Sequence, residues 1–519
     1  MISCLALECP GKWRGACIAL LLVAAGFPAI PLLWRAVTSI DAVAPIVGNA
    51  FGGALWNSVM VALVVAVVAF VVGIPLGLLV ALYEFPGRKL FLTVIALPLL
   101  VPSFLWAIGW SSLAVRLGPP ITDLTSGFCG CSLVFSTGAV ALVLLVSSAA
   151  TATLSSSQVD AARLSGGEKT LLVQAFRHVA MPALFTAGLG GVLTLSDPGP
   201  GQILGLHTAA TEILTSFSAL YDFALAGRQG AVLIGLVLLG AVPLAYFATP
   251  QLASELLAHQ ARFMQRVPHR LLGTFAVAVC TLFVLLATVA PVVGLTLPLV
   301  ATPAALALQW PILFFRTIYD TLVYAAGAGT IAAVCGFFLA LCAGRSNRLR
   351  RLCLGVCLAL FSLPPAVTAL GFVHLASRVP AWADPFLRSR LTVCVALALR
   401  FLPVAAVLGL RAWGSIAPSW ALAAAVHGVP LWMYVRRIVF PMLLPAGVMA
   451  TLLVGLLATA DVSTILLLHP PGAQSLPLAI FTVMANAPES LVATQCLVYI
   501  VAAGGLLVAI WTAAGMSKV

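Results

Sequence analysis

The chain has 519 residues, of which 62% are hydrophobic and only 8% charged, with a formal net charge of +12. A soluble globular domain carries about 25% charged residues, so this composition, with a mean hydropathy of +1.15, excludes one and indicates an integral membrane protein. The positive charge does not indicate nucleic acid, because its placement along the chain follows membrane topology.

In chain order, about twelve apolar runs are long enough to span a bilayer as helices. They lie near 16–35, 56–83, 91–113, 132–153, 181–198, 229–248, 271–298, 318–343, 352–375, 391–412, 442–464 and 491–513. The fold class predicted is all-α, with these spans in two six-helix units. Lys12 and Arg14 precede the first run in the manner of a signal peptide, but no small-residue cleavage site follows, so the run is expected to stay as the first helix. With the N-terminus cytoplasmic, most of the 26 Lys and Arg fall on the cytoplasmic side and most of the 14 Asp and Glu on the other. The same parity makes both termini cytoplasmic. Cys129 and Cys131, one glycine apart in an external loop, lack the spacing of a zinc site.

The chain repeats itself. Asn57 and Ser58 match Asp320 and Thr321, and Gly73 matches Gly336, all 263 residues apart. Pro102 matches Pro364, Gly109 matches Gly371 and Gly166 matches Gly428, at an offset of 262. Residues 1–250 and 271–519 are therefore read as two homologous transmembrane units, joined by a polar cytoplasmic linker at 251–270. An even number of spans per unit makes the repeat parallel, with a pathway between the halves.

Each unit carries a polar insert between its fourth and fifth spans, at 159–184 and around 422–441. In both, small residues precede a glycine, and a second helical segment ends in a proline before the next span. Glycine permits a sharp turn between two short helices, and small side chains allow a partner surface to approach closely. Arg436 and Arg437 fall on the cytoplasmic side. The inserts read as helical hairpins displayed in the cytoplasm for a partner.

These residues resemble the coupling loop of ATP-binding-cassette importer permeases, the EAA loop, of pattern Glu-Ala-Ala-x3-Gly-x9-Ile-x-Leu-Pro. Leu422, Ala423, Ala424, Gly428, Ile438 and Pro441 fall at its positions in the second half, and Asp160, Ala161, Ala162 and Gly166 in the first. The fused two-unit layout is similar to the ferric-iron and thiamine group of these permeases, and the segments 97–110 and 466–482 resemble its iron branch. Two departures stand out. The acidic position holds Asp160 in one half and Leu422 in the other, and strict spacing puts Val179 where the family has proline, whereas Pro182 aligns with Pro445. The two loops are therefore expected to couple unequally, and a three-residue insertion in the first is the alternative account.

The resemblance implies a type I permease fold in a bacterial inner membrane and a transport subunit that is not itself an enzyme. It implies two cytoplasmic ATP-binding subunits that hold the loops, a periplasmic or extracellular substrate-binding protein, and ferric iron as first cargo. Thiamine is second, with sulfate, phosphonate or a polyamine behind. No cofactor is expected on this chain, ATP and magnesium belonging to the partners. The chain has no phosphate-binding loop of the Gly-x4-Gly-Lys-Ser/Thr kind, so the run Leu164–Lys169, which mimics a signature of the ATPase subunits, is read as coincidence.

Charges within spans point to ion pathways. The candidates are Asp197, Asp461, Asp320 and Arg400. Asp197 and Asp461 follow the fifth span of each half and mark the outer end of a pathway, or are ordinary helix-end residues. Pro102 and Pro364 are candidate pathway kinks in the third spans, or tolerated helix prolines. His178 and His427 read as surface residues. A major-facilitator-like secondary transporter also has twelve spans in parallel halves, but needs more intramembrane carboxylates. A membrane enzyme needs a clustered catalytic set that seven scattered histidines do not provide. A subunit that only anchors ATPases is the remaining alternative.

Overall fold

The computed structural model describes residues 12–27, 30, 49–255, 269–301, 312–376 and 384–516. Among them the chain is helical throughout, without a strand. Eight helices are long and apolar enough to cross a membrane, or ten if each of two sharply bent pairs is one span. This is an all-α, multi-pass architecture, as the composition requires, because helices satisfy their own backbone groups inside lipid. The expected twelve spans exceed that count by four, or by two if each bent pair is one span. The run 16–35 is described only in part, as the short helix α1 (Lys12–Gly26). The run 181–198 belongs to a longer helix that also carries the polar insert. Of the linker, residues 251–255 continue a helix and 256–268 lie outside the described residues.

After α1 come α2 (Asn49–Leu82), α3 (Arg88–Leu100), α4 (Ser103–Leu117), α5 (Gly127–Thr151), α6 (Ser156–Thr194) and α7 (Phe223–Glu255). The same order then recurs as α8 (Arg270–Val300), α9 (Ile312–Ala343), α10 (Asn347–Ser362), α11 (Pro365–Ala376), α12 (Arg390–Ser415), α13 (Pro418–Val426), α14 (Leu431–Ala460) and α15 (Glu489–Met516). α13 and α14 stand in the place of α6. Short helices follow α6 at Gly199–Leu204 and Ala209–Ser218, and follow α14 at Val462–Leu468 and Leu476–Val483.

The residues that reveal the repeat have physical reasons to recur. A methyl group on Gly73 would meet Val143 Cβ at 2.7 Å, and one on Gly336 would meet Ala405 Cβ at 2.7 Å. Both glycines let α2 cross α5, and α9 cross α12, at backbone contact. Ser58 Oγ accepts a hydrogen bond from Ala209 N at 2.8 Å, and Thr321 Oγ1 accepts one from Leu476 N at 2.7 Å. Each hydroxyl ties down the first turn of a short helix, where backbone N–H groups have no partner in the helix itself. The pairs α3/α4 and α10/α11 bend by 100° and 87°. A proline disfavours the helical conformation of the residue before it. Accordingly Val101 before Pro102 and Leu363 before Pro364 are extended, with ψ of 138° and 139°.

The first helix of each unit packs on the other unit. α1 lies against α9, α10 and α12, with Ile18 and Leu22 buried beside Cys342 and Leu354. α8 lies against α2, α3, α4 and α15. The closest approach is between α4 and α8, where Gly109 and Gly294 each face backbone of the other helix. One turn on, Ser112 Oγ lies 2.9 Å from Gly294 O and 2.6 Å from Glu489 Oε1, and Arg116 pairs with Glu489 at 2.9 Å.

Candidate functional site: a cavity with two aspartates and two glycine-turn loops

The second α-helical arm of each bent pair, the helix end that follows the insert, and the second-half helix α12 together enclose a cavity of about 230 Å³ lined by both halves. Pro102, Ser103 and Asp197 come from the first half, and Pro365, Arg400 and Asp461 from the second. The sequence candidates Asp197, Asp461, Arg400 and Pro102 are thus brought together. Pro364 makes the bend but does not itself line the cavity. Asp320 is elsewhere: fully buried, it pairs with Arg390 at 2.8 Å and accepts from Gln474 N at 3.2 Å. It shares with Thr321 the task of holding the segment 474–476, which is a structural role.

The two aspartates are held differently. Asp197 leaves the end of α6 as the chain turns through Pro198, and its carboxylate accepts from Ser103 Oγ at 2.5 Å and from Gly199 N at 2.9 Å. Asp461 caps the short helix after α14, accepting from Thr464 N at 3.0 Å and Thr464 Oγ1 at 2.7 Å. It also pairs with Arg400 Nε at 2.7 Å, while Arg400 Nη1 donates to Leu363 O at 3.1 Å. A buried carboxylate requires such a partner. Ser103 was not a candidate from the sequence. A serine directly after a span proline is the signal that could have pointed to it.

The inserts form glycine turns as expected, with two corrections. In the first, α6 is broken at Gly166 and Gly167, and it is Gly167, with φ of 68°, that takes the left-handed conformation. In the second, Gly428 takes it, with φ of 65°. The turn residue aligned with Gly428 is therefore one place later than Gly166. Second, the segment after each turn does not end at a proline. Helix runs from Glu168 through Pro182 to Thr194, and α14 runs from Leu431 through Pro441 and Pro445 to Ala460, with a π turn at Val435–Val439. The picture of two short helices becomes one short helix followed by a long one, because an interior proline removes a single hydrogen bond without ending a well-packed helix. Val179 is fully buried on the packed face of α6, whereas Pro182 is partly exposed.

Each short helix presents one alanine inward and one outward. Ala162 and Ala424 are buried, and Ala161 and Ala423 exposed. Asp160, Leu422, Arg436, Arg437 and Pro441 are exposed, and Ile438 is half-buried. Leu164 and Val426, 262 residues apart and adjacent to the turns, are exposed at 90% and 83%. The run Leu164–Lys169 has a local function as well. Glu168 accepts from Tyr83 Oη at 2.8 Å and pairs with Arg163 at 2.8 Å, which fastens the first turn to the end of α2. Burial, and then its bond to the Glu168 carboxylate, push the Tyr83 phenol up, so it stays a donor at any physiological pH. His178 and His427 are exposed, and His178 Nε2 lies 2.9 Å from Thr153 Oγ1.

The two inserts lie at one end of the bundle: Glu168 binds Tyr83 just after α2, and Ala421, Ala424 and Tyr434 cluster with Leu341 near the end of α9. Leu252 of α7 shares a cavity with Pro182 of α6 and packs, with Ala253, near Cys342 and Ala343 at the end of α9. His269, at the start of α8, meets the Tyr83 ring edge-on at 6.2 Å. The ends of α2, α7 and α9 and the starts of α1 and α8 are therefore together.

No group of three or more His, Cys, Asp or Glu side chains placed to hold a metal ion occurs among the described residues. No family model, curated relative or solved structure matches the chain.

Proposed function

We propose that the chain is the membrane-spanning permease subunit of an ATP-driven importer of the ATP-binding-cassette class. In this reading about twelve spans form two parallel six-helix units of the type I permease fold, in a bacterial inner membrane with both termini cytoplasmic. The pathway runs between the halves through the cavity of Asp197 and Asp461. The two glycine-turn loops seat in two separate ATP-binding subunits, which carry ATP and magnesium, and a binding protein delivers the cargo. Ferric iron is the first cargo, thiamine the second.

The observation that carries the reading is the pair Leu164 and Val426. Two large apolar side chains at corresponding positions beside left-handed glycines, both nearly fully exposed at the same end of the bundle, suit burial by two copies of one partner. Leu422, one turn from Val426 on the same short helix, is also exposed, and clustered exposed apolar side chains mark interaction sites.

Affinity purification of the tagged chain in mild detergent is expected to recover an ATP-binding-cassette subunit, about two per permease. Gly428→Val, whose side chain has open space but whose backbone must leave the left-handed region at about 1–2 kcal/mol, is expected to lose that subunit while still inserting in the membrane. Reporter fusions at residues 1 and 519 are expected to report the cytoplasm at both ends. An active external reporter sinks the topology.

One observation favours a second reading. Buried carboxylates and a guanidinium in a central cavity are what a major-facilitator-like secondary transporter needs. A chain purified alone, when a control permease keeps its ATPase, and driving ion-coupled uptake in vesicles selects that reading.

A further inference from the structure

The two halves treat their cavity aspartates unequally, and the repeat identifies what differs. Helices α5 and α12 superpose at an offset of 262: Gly73 and Gly336 make their closest side-chain contact at Val143 and Ala405, and Gly77 meets Ser147 as Ala340 meets Gly409. At that offset Arg400, which reaches Asp461, corresponds to Gly138. Leu363, whose carbonyl Arg400 binds, corresponds to Val101. Gly138, Val101 and Asp197 line one cavity of about 220 Å³, together with Ser103, Thr194 and Trp106. Where the second half places a guanidinium, the first half has a cavity that ends on a carboxylate.

We propose that this cavity is a binding site for a small hard cation, which sits beside Asp197 as the Arg400 guanidinium sits beside Asp461. The donors are of one kind. Asp197, Ser103 and Thr194 offer carboxylate and hydroxyl oxygens, the ligand set of hard cations. The indole N–H of Trp106, which is 1% exposed, has no hydrogen-bond partner, and a buried donor of this kind requires an acceptor. The oxygen of a water, hydroxide or chelator arriving with the cation supplies one. A single carboxylate holds the ion loosely, which suits an ion in transit, since conduction requires binding weak enough to release. As a statement about cargo, the proposal deepens and rests on the importer reading. As a binding site it is independent of any ATPase.

Terbium(III) is a hard trivalent probe whose emission is sensitised by nearby tryptophan, so Trp106 reports on its own cavity. Titration of terbium chloride into the purified full chain in detergent is expected to give saturable emission on tryptophan excitation. Asp197→Asn is isosteric, and it is expected to weaken apparent affinity by roughly tenfold or more, the scale of losing one metal-site interaction. Trp106→Phe is expected to remove most sensitised emission, while terbium excited directly still titrates. Asp123→Asn, at an exposed site, is expected to bind as the unchanged chain does. Gly138→Arg, which delivers a guanidinium to the cavity, is expected to abolish binding with Asp197 in place. If Gly138→Arg does not fold, Asp197→Asn decides alone. Unsaturable emission, or saturable emission that Asp197→Asn leaves unaltered, overturns the proposal. Loss of ATPase co-purification with terbium binding intact overturns the importer reading and leaves the site standing.

Discussion

Arg400→Ala is expected to be the most destabilising single change in the cavity. It removes the guanidinium 2.7 Å from Asp461, a carboxylate 7% exposed as a residue, and leaves a buried charge without its partner. Breaking a buried pair from one side costs about 3–5 kcal/mol. In detergent this is expected as a large fall in the temperature at which the chain aggregates. The double change Arg400→Leu with Asp461→Asn is expected to recover most of the loss. Asparagine still accepts from Thr464 N as a helix cap, and leucine fills the guanidinium stem without a charge to compensate. If the double variant is as unstable as Arg400→Ala, the penalty comes from lost packing and the ion-pair account fails. If the charge account holds, the pair serves specificity of structure more than net stability, and its place beside the Pro364 bend ties the α12 guanidinium to the Leu363 carbonyl on which α10 ends.

The second large effect is expected at the crossing of α4 and α8. A Cβ on Gly294 would fall well inside contact distance of Gly109 O and lie 3.0 Å from Gly109 C. Both atoms are backbone, so no rotamer change relieves the contact. Overpacking costs about 1–3 kcal/mol where side chains can yield, and here the helix itself must move. Expressed as two chains divided within 256–268, the unchanged halves are expected to co-purify, because each first helix packs on the other half. Gly294→Leu in the second chain is expected to reduce recovery of the first roughly tenfold, since about 1.4 kcal/mol is a factor of ten. Undiminished recovery with Gly294→Leu would show that α8 is not what holds the halves together.

Much of this arrangement was legible in the residues. Pro102 and Pro364 were legible as candidate kinks, since proline disfavours the helical conformation of the residue before it, and the structure bends at both. Positions matched at the constant offset make matching contacts, Gly73 and Gly336 at helix crossings and Ser58 and Thr321 at the first turns of short helices. The glycine turns were legible to within one residue, Gly167 taking the place expected of Gly166 in a Gly-Gly pair that offers both. What sequence could not supply was pairing in space. Asp320 and Asp461 look alike as acidic residues in apolar runs, yet Arg390 and Gln474 N claim the first, and Arg400 and the first turn of a short helix claim the second. The continuity of α6 and α14 through their prolines was equally hidden, because tertiary packing rather than local propensity decides whether one lost hydrogen bond ends a helix.

The exchange of first helices sets an order of biogenesis. α1 leaves the ribosome long before α9, α10 and α12, the helices it packs against in the finished protein. At about 5–20 residues per second, the roughly 300 intervening residues take on the order of 15–60 s to synthesise. Throughout that interval α1, with Arg14 buried in the mature chain, lacks the three second-half helices it packs against, and the insertion machinery or the lipid headgroups must hold it. A chain that stops after α7 is therefore not a self-contained half of the protein. It is an orphan with an unclaimed first helix, a ready target for membrane quality control, and translation must finish α12 before α1 can reach its final packing.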